Sequence, residues 1–311
     1  MTKNYDLIII GAGPAGLTAS IYASRYRINH LVIGKPFASL VTEAQLIENY
    51  PGFQSVSGFE LMQKFVSQVK SYGVEILEEE VIKLKIKNKK LKIFEIETNG
   101  DNIYKARSLI IASGTKKRRL IVPGEKEFIG KGVSYCATCD APLFKNKIVA
   151  VVGGSDAALS AALLLANYAE KVYLIYRKSQ FRAEKIWQER IEKEKKIIPI
   201  FETNLIKIEG RNKLEKIILD KTYQDKKELK LDGLIIEIGS EPLSKLVKNL
   251  GVKLDKQGLI KIKKNGSTNV TGIFAAGDVT TGSNKFRQII TACAEGAIAA
   301  LGVYNYLKGL I

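Results

Sequence analysis

The apolar residues near the N-terminus form one unbroken run that ends in a cluster of glycines. Residues 5–10, YDLIII, have the composition of a buried strand, and GAGPAG follows at 11–16. The next residues, LTASIYASR, continue with a helical pattern. Glycine permits a tight turn from strand to helix, and a helix N-terminus presents free backbone N–H groups to an anion. The pattern therefore predicts a strand, a dinucleotide-binding turn and a helix.

A second strand, turn and helix begin near residue 147. KIVAVV at 147–152 predicts a strand, GG at 153–154 predicts the turn, and a helical pattern starts at about Asp156 before another strand at 172–176. Ser155 stands where the dinucleotide pattern has its second glycine, the point of close approach to the pyrophosphate. With two βαβ starts, the chain is predicted to be α/β, with two Rossmann-like three-layer nucleotide-binding domains.

Glycine- and proline-containing breaks divide the chain. A predicted strand at 108–112 runs into Gly114 and a charged stretch, and IEIGSEP at 236–242 ends another strand. The last segment, with FAAGDV and a long helical pattern from Phe286, is too short to fold alone. We therefore predict that the second domain is inserted in the first. The predicted domains are 1–116 with 241–311, and 117–240.

Composition narrows the functional classes. The 311 residues are 46% hydrophobic, as in a folded protein, and carry a formal net charge of +17. A positive surface attracts nucleic acid, but the basic residues are mixed with Glu, as in IEKEKK, and follow no nucleic-acid-binding motif. We interpret them as a solvated surface and expect no nucleic-acid partner. His30 is the only histidine, which removes most zinc sites and every Ser-His-Asp or Cys-His arrangement.

The N-terminal apolar run also has some features of a signal or membrane segment. Asp6 precedes it, however, and Pro14 and the glycines interrupt it. Three cysteines are too few for a disulfide scaffold and favour an intracellular redox or metal role. We expect a cytoplasmic protein without a membrane partner.

Two cysteines are separated by two residues in SYCATCD at 134–140. Such a pair is either half of a metal site or a dithiol that opens and closes. Tetrahedral zinc needs four ligands, and Cys293 and His30 lie far away in the sequence, which favours the dithiol. Pro142 limits helical continuation after Cys136 to about one turn. The pair should lie on a short exposed element.

Asp140 follows Cys139 directly. Its negative charge would raise the pKa of the neighbouring thiol, so its useful role is to deliver a proton to a leaving thiolate. A simple turn cap is the alternative interpretation, and the sequence leaves both open. Cys293, in ITACAEGAIAA, is predicted to be a small core residue on an alanine-rich helix face.

The residues after each second strand differ between the two nucleotide sites. A basic residue there accommodates a ribose 2′-phosphate, whereas an acidic one binds the 2′-hydroxyl. At the second site the strand ends in Arg177 and Lys178, with Arg182 beyond, which favours NADPH over NADH. An exposed basic turn is the alternative. At the first site the strand ends in Gly34 and Lys35, without an acidic residue.

These residues resemble the low-molecular-weight thioredoxin reductases, which are pyridine nucleotide-disulfide oxidoreductases, over nearly the whole chain. CATCD just before the second glycine turn is the specific signal, because glutathione reductase-like and lipoamide dehydrogenase-like relatives carry their cysteines after the first turn. The motifs occur in the family's order: GAGPAG at 11–16, ENYPG at 48–52, IIASG at 110–114, GVSYCATCD at 132–140, VVGGSDAA at 151–158, FRAEK at 181–185, FAAGDV at 274–279 and RQIITA at 287–292.

The resemblance implies FAD in the first domain, NADPH in the second, a homodimer, and a thioredoxin-like protein disulfide as the partner. It implies that Cys139 faces the flavin, that Cys136 attacks the external disulfide, and that Asp140 is the acid. The implied flavin-binding residues are Gly11, Gly13, Pro14, Ala15, Gly16, Gly34, Lys35, Asn49, Val81, Ala112, Gly114, Gly277, Asp278, Arg287, Gln288 and Ile289. The implied NADPH-binding residues are Gly153, Gly154, Ser155, Asp156, Ala157, Arg177, Lys178 and Arg182.

The chain departs from the family pattern at positions that bear on the electron donor. Residues 38–41, ASLV, replace Gly-Gly-Gln-Leu; residues 176–178, YRK, replace His-Arg-Arg; Ser155 replaces glycine; and residues 279–286 are slightly longer than usual. The first hypothesis is therefore an NADPH-dependent thioredoxin-disulfide reductase. The second is the same flavin and dithiol chemistry with a ferredoxin-type donor, or run as a thiol oxidase. A third is a non-catalytic flavoprotein that binds a partner through its basic surface.

Overall fold

The computed structural model describes residues 3–88 and 93–309. The chain divides into two compact units, Met1–Lys116 with Glu241–Ile311, and Lys117–Ser240. Each unit contains a largely parallel sheet, and each glycine turn follows the strand that the apolar runs predicted. The fold class is therefore α/β with two Rossmann-like units, as predicted.

The strands follow the alternating or continuous apolar runs of the sequence. They are β1 Lys3–Ile10, β2 His30–Ile33, β3 Ile76–Leu77, β4 Val81–Asn88, β5 Ile93–Thr98, β6 Ile103–Ile111, β7 Thr115–Lys117, β8 Val133–Ser134, β9 Ile148–Val152, β10 Lys171–Ile175, β11 Ile197–Ile200, β12 Leu205–Gly210, β13 Leu214–Tyr223, β14 Lys226–Lys230, β15 Gly233–Ile236, β16 Ser240–Pro242 and β17 Ile273–Ala275.

The helices cover the sheet faces or form single turns. They are α1 Pro14–Arg25, α2 Gly58–Ser71, α3 Glu125–Phe128, α4 Ala137–Asp140, α5 Asp156–Ala166, α6 Lys185–Lys193 and α7 Ile289–Lys308. The helical pattern predicted from Phe286 begins three residues later, because the Gln288 and Thr291 side chains form a reciprocal capping box at the start of α7.

The sheet of the first unit has the order β3-β2-β1-β6-β5-β4, and β17 pairs with the C-terminal half of β6. The pairs among β1, β2, β6 and β17 are parallel, with Ile10 in register with both Ile33 and Ile111, and Ile111 with Ala275. Because parallel strands in register end at the same edge, four chain segments leave the sheet side by side. This edge positions the first candidate site.

Alternate residues of β1 enter two cores. Leu7 and Ile9 pack under α1, α2 and α7, whereas Ile8 and Ile10 pack on the opposite face. Among the described helices, α7 is the one long and apolar enough in composition to cross a membrane. One face of α7 is buried in the core beside α1, as in a core helix.

The second unit has a parallel sheet in the order β11-β10-β9-β15-β8 and an antiparallel sheet, β12-β13-β14. Helix α5 packs its Ala158, Leu159, Ala162 and Leu165 side chains into the core with residues of β9 and β10. The glycine turn after β9 therefore leads into a well-anchored helix.

Candidate active site

The first glycine turn is wedged between the ends of the neighbouring strands. Gly11 has a φ of 116°, and a β-carbon there would collide with the Ala112 carbonyl oxygen. A β-carbon at Gly34 would lie 2.8 Å from the Ala12 nitrogen. The structure thus brings the turn together with the segments that follow β2 and β6.

Gly13 differs from its neighbours because the protein's own packing leaves one side of it open. A β-carbon at Gly16 would collide with the Gly11 carbonyl oxygen, whereas one at Gly13 would meet nothing nearer than the Ser39 β-carbon at 4.0 Å. The α1 N-terminus has no side-chain cap and no acidic residue in its first turn, and Pro14 and Ala15 begin the helix. This open, uncapped N-terminus fits the pyrophosphate of a dinucleotide.

The segment after β17 joins the same edge. Gly277 has a φ of 79°, and a β-carbon there would lie 2.8 Å from the Ala15 β-carbon. Burial raises the pKa of the adjacent Asp278 carboxyl, Arg287 opposes the rise and Glu295 adds to it. Asp278 can accept a hydrogen bond from a ligand hydroxyl beside the glycine turn.

Glu295 is a site-forming residue that sequence reasoning missed. This buried side chain on α7 is 9% exposed, and its Oε2 accepts hydrogen bonds from the Gly277 nitrogen at 2.9 Å and the Thr280 Oγ1 at 2.7 Å. Glu295 therefore fixes the turn that carries Asp278. The sequence contains a clue to this role, because Glu295 is the single acidic residue in the largely apolar segment ITACAEGAIAA.

Other predicted flavin residues lie in different places. Asn49 donates a hydrogen bond through Nδ2 to the Gln288 Oε1 at 3.2 Å, and this bond joins the ENYPG motif to the RQIITA motif. Ile289 is the first residue of α7, and Lys35 follows Gly34 at the end of β2. Gly114 adopts a φ of 64° after β6. Val81 begins β4 and packs against the core on the face of the sheet opposite α1.

The second glycine turn repeats the backbone of the first. A β-carbon at Gly153 would collide with the Glu237 carbonyl oxygen, so a glycine is required there. Ser155, with φ −103° and ψ 175°, has nearly the conformation of Gly13, with φ −81° and ψ −173°. The Ser155 side chain occupies the N-cap position of α5 but makes no capping hydrogen bond. Serine is tolerated because this backbone needs no glycine.

The ring of Tyr176 lies against the second turn. A β-carbon at Gly154 would be 2.5 Å from the Tyr176 Cε2, and the buried ring stacks on Phe181 with centroids 5.9 Å apart. The Arg182 nitrogen donates to the Gly154 carbonyl oxygen at 2.8 Å, which places this residue beside the turn. Gly154 therefore makes room for an aromatic side chain of the same protein.

The predicted basic cluster is exposed. Arg177, Lys178 and Arg182 all face solvent, as a site for a ligand phosphate requires. In the first turn of α5, Asp156 accepts a hydrogen bond at 2.7 Å from the Glu184 nitrogen, and Ala157 follows it. The second unit thus has an uncapped helix N-terminus and nearby cations that fit a phosphorylated dinucleotide.

Cys136 and Cys139 are joined by a disulfide, with their Cα atoms 5.3 Å apart. Cys136 caps the single-turn helix α4, which passes into a 3-10 turn, Ala141–Phe144, as expected from Pro142. Cys139 is exposed and Cys136 half-buried. The Cys139 nitrogen donates to the Cys136 Sγ at 3.2 Å, a hydrogen bond that stabilises a thiolate when the pair is reduced.

The structure bears on the turn-cap interpretation of Asp140 and on the predicted core position of Cys293. The half-buried Asp140 occupies the N-cap position before the 3-10 turn but makes no side-chain capping bond, so the turn-cap interpretation gains no support. Cys293 is 7% exposed in the core, as predicted, and burial raises its pKa. Among the described residues no group of three or more His, Cys, Asp or Glu side chains could hold a metal ion.

Comparison with known proteins agrees with this geometry. The family model described as pyridine nucleotide-disulphide oxidoreductase matches residues 5–296. Thioredoxin reductase of Bacillus subtilis is 40% identical over 311 residues, which cover 99% of this chain and 96% of the relative. The crystal structure of thioredoxin reductase of Lactococcus lactis aligns with a TM-score of 0.92 and 34% identity over 98% of this chain and 99% of that one.

A ferredoxin-flavin thioredoxin reductase of Clostridium acetobutylicum is a more distant structural relative, with a TM-score of 0.54 and 33% identity over 99% of this chain and 100% of that one. The two glycine turns, the disulfide between them in sequence and the full-length similarities lead to one conclusion. The chain belongs to the pyridine nucleotide-disulfide oxidoreductases and, among them, to the low-molecular-weight thioredoxin reductase family.

Proposed function

We propose that the chain is a cytoplasmic, homodimeric thioredoxin-disulfide reductase that binds FAD at the Gly11–Gly16 turn and NADPH at the second turn. The bound flavin would supply the two electrons that open the Cys136–Cys139 disulfide. The observation that carries the proposal is this disulfide, which is partly exposed on a single helical turn and precedes the second glycine turn in the sequence.

The chain's own groups can perform the exchange with a protein disulfide. Once the pair is reduced, the Cys136 thiolate, stabilised by the Cys139 N–H, attacks one sulfur of the partner and forms a mixed disulfide. Cys139 then attacks Cys136, and the second partner sulfur leaves. Asp140 donates a proton to a leaving thiolate. The cycle consumes two electrons and two protons for each partner disulfide.

A second candidate keeps this exchange but takes electrons from a donor other than NADPH, such as a ferredoxin. The observation that favours it is the ring of Tyr176 against Gly154, together with the side chain of Ser155 at a position that is glycine in the first turn. Both reduce the space for a pyrophosphate at the second turn. Arg177, Lys178 and Arg182 favour NADPH.

Steady-state reduction of a bacterial thioredoxin tests the proposal. With NADPH and bound FAD, the wild-type protein should turn over, Cys139→Ser should lose activity at least a hundredfold, and Cys293→Ala should retain it. Equal activity of Cys139→Ser and the wild type would refute the dithiol mechanism. A protein that reduces thioredoxin only with reduced ferredoxin would establish the second candidate.

A further inference from the structure

Residues 118–122, RRLIV, form a loop with an unusual backbone, which we call the arginine–isoleucine loop. Ile121 has a φ of 62° and a side chain that is 85% exposed. A β-branched residue rarely adopts this left-handed conformation, because its side chain crowds the backbone. Burial of the Ile121 side chain cannot offset the cost of this backbone conformation, because the side chain is exposed to water. Such strain persists only where the surrounding structure imposes it, and it concentrates at functional sites.

The buried carboxylate of Glu125 imposes this conformation. The residue is 2% exposed, and its two oxygens accept hydrogen bonds from the Leu120 nitrogen at 2.8 Å and the Ile121 nitrogen at 2.6 Å. Burial favours protonation, but the hydrogen bonds from Tyr135 and from the loop outweigh it and lower the pKa of Glu125. A charged side chain in the protein interior thus holds an apolar side chain out in water.

The same carboxylate connects the loop to the dithiol. The Tyr135 hydroxyl donates to the Glu125 Oε1, and Tyr135 directly precedes Cys136. The Lys117 Nζ donates to the Tyr135 carbonyl oxygen and pairs with Glu237 at 2.7 Å. Arg119 lies near enough to Tyr135 to oppose the rise in its pKa that burial and Glu125 cause. The loop is therefore held beside the peptide that carries Cys136.

The loop also carries charge of one sign. Arg118 and Arg119 are exposed, and the chain as a whole has a formal net charge of +17. An exposed apolar side chain that follows two arginines complements a partner with an apolar contact beside carboxylates. A like-charged partner would be repelled.

We propose that the arginine–isoleucine loop docks an acidic, disulfide-bearing protein, with Ile121 as the apolar contact, Arg119 as the charged one, and Glu125 as the residue that positions both beside Cys136. The inference rests on the proposed function, because it requires a protein disulfide as substrate. It adds the surface that recognises this protein and the charge that the protein must carry.

The test separates binding from chemistry. Oxidised thioredoxin of net negative charge is titrated onto the FAD-loaded double variant Cys136→Ser, Cys139→Ser. This variant cannot perform thiol–disulfide exchange, so the titration measures binding alone. On this background Ile121→Asn removes the apolar group while asparagine tolerates the left-handed backbone. Arg119→Glu reverses one charge of the loop, and Lys227→Glu, at an exposed lysine of β14, is the matched control. With both cysteines intact, the same variants are assayed for thioredoxin turnover and for alkylation of the reduced dithiol by iodoacetamide.

We expect Ile121→Asn to weaken thioredoxin binding about fivefold and Arg119→Glu about tenfold with a shallower salt dependence, while Lys227→Glu stays within about twofold. Alkylation rates should match the wild type. Unchanged binding in both loop variants would overturn the docking proposal, and so would a parallel loss of alkylation, because the loop would then act on the thiol itself. A wild-type protein that does not reduce thioredoxin would instead refute the proposed function.

Discussion

At the scale of single residues, the three cysteines occupy two environments with opposite consequences for reactivity. Cys136 and Cys139 lie on a partly exposed turn, and a backbone N–H points at the Cys136 sulfur. Cys293 is buried, its sulfur is 3.9 Å from the Tyr50 hydroxyl, and burial raises its pKa. Since the thiolate is the reactive species, the pair can exchange with a partner and Cys293 cannot.

Asp140→Asn should separate the two interpretations that the sequence left open. Because asparagine cannot deliver a proton to a leaving thiolate, we expect thioredoxin turnover to fall about 10²-fold. The unfolding temperature should hardly change, because the side chain does not cap the following turn. Turnover and thermal unfolding are measured on the same preparations. Full activity with a lowered unfolding temperature would show that Asp140 is structural.

His30 should make the stability of the fold depend on pH. It is buried, its Nδ1 donates to the Ile28 carbonyl oxygen at 2.9 Å, and its Nε2 accepts from the Ser20 hydroxyl at 2.8 Å. Burial lowers the pKa of His30 below its usual 6.5, and the bond to Ile28 only partly opposes this. The unfolded chain therefore takes up a proton at a higher pH than the folded chain does.

The contribution of His30 should consequently be complete above pH 6.5 and be lost as the pH falls toward the folded pKa. Each unit of difference in pKa is worth about 1.4 kcal/mol. Urea unfolding between pH 7.5 and 5.5 measures this slope, and His30→Gln, which does not titrate, is the control. Equal slopes for the two proteins would contradict the assignment.

At the scale of elements, the two glycine turns have nearly the same backbone conformation but differ in the space that neighbouring side chains leave around them. Gly13 has an open face, whereas Ser155 carries a side chain and Gly154 is covered by Tyr176. The glycine pattern predicted both turns because each residue acts locally, within one strand, turn and helix. The position of the Tyr176 ring depends on the packing of β10 beside β9, which no local pattern records.

Glu295 links α7 to the turn after β17, and its substitution should loosen the flavin. In Glu295→Gln the amide can still accept from Gly277, but the charge that strengthens the bonds to Gly277 and Thr280 is lost. We expect FAD to dissociate about tenfold more readily, equivalent to about 1.4 kcal/mol. Fluorescence of released flavin on dilution measures this, with Glu60→Gln on the exposed face of α2 as the control. Unchanged retention would show that Gly277 is held without the carboxylate.

The sequence predicted the parts of the site that consist of consecutive residues and missed those that join distant ones. CATCD, the glycine turns and the basic residues after β10 are short motifs whose chemistry is readable in order. The hydrogen bonds of Glu125 with the Tyr135 hydroxyl and of Glu295 with the Gly277 backbone nitrogen connect groups that meet only after folding. The left-handed conformation of Ile121 was also unpredictable, because isoleucine rarely adopts it.

At the scale of the whole molecule, the chain leaves the first unit after Lys116 and returns to it at Glu241. The returning segment supplies β17, the Gly277 turn and α7, and all three pack on elements from the N-terminal part. A segment too short to fold alone thus completes the first candidate nucleotide site. The high positive charge is spread over both units and predicts salt-sensitive encounters with an acidic partner.

We expect electrons to follow one route, from NADPH to a bound flavin, then to the Cys136–Cys139 pair and finally to a protein disulfide. Anaerobic stopped-flow mixing of the FAD-loaded protein with NADPH, and separately with NADH, tests it most directly when flavin absorbance and thiol release are followed together. NADPH should bleach the flavin faster than NADH does, and two thiols should appear at Cys136 and Cys139. Flavin that dithionite bleaches but NADPH does not, or bleaching without new thiols, would rule out this route.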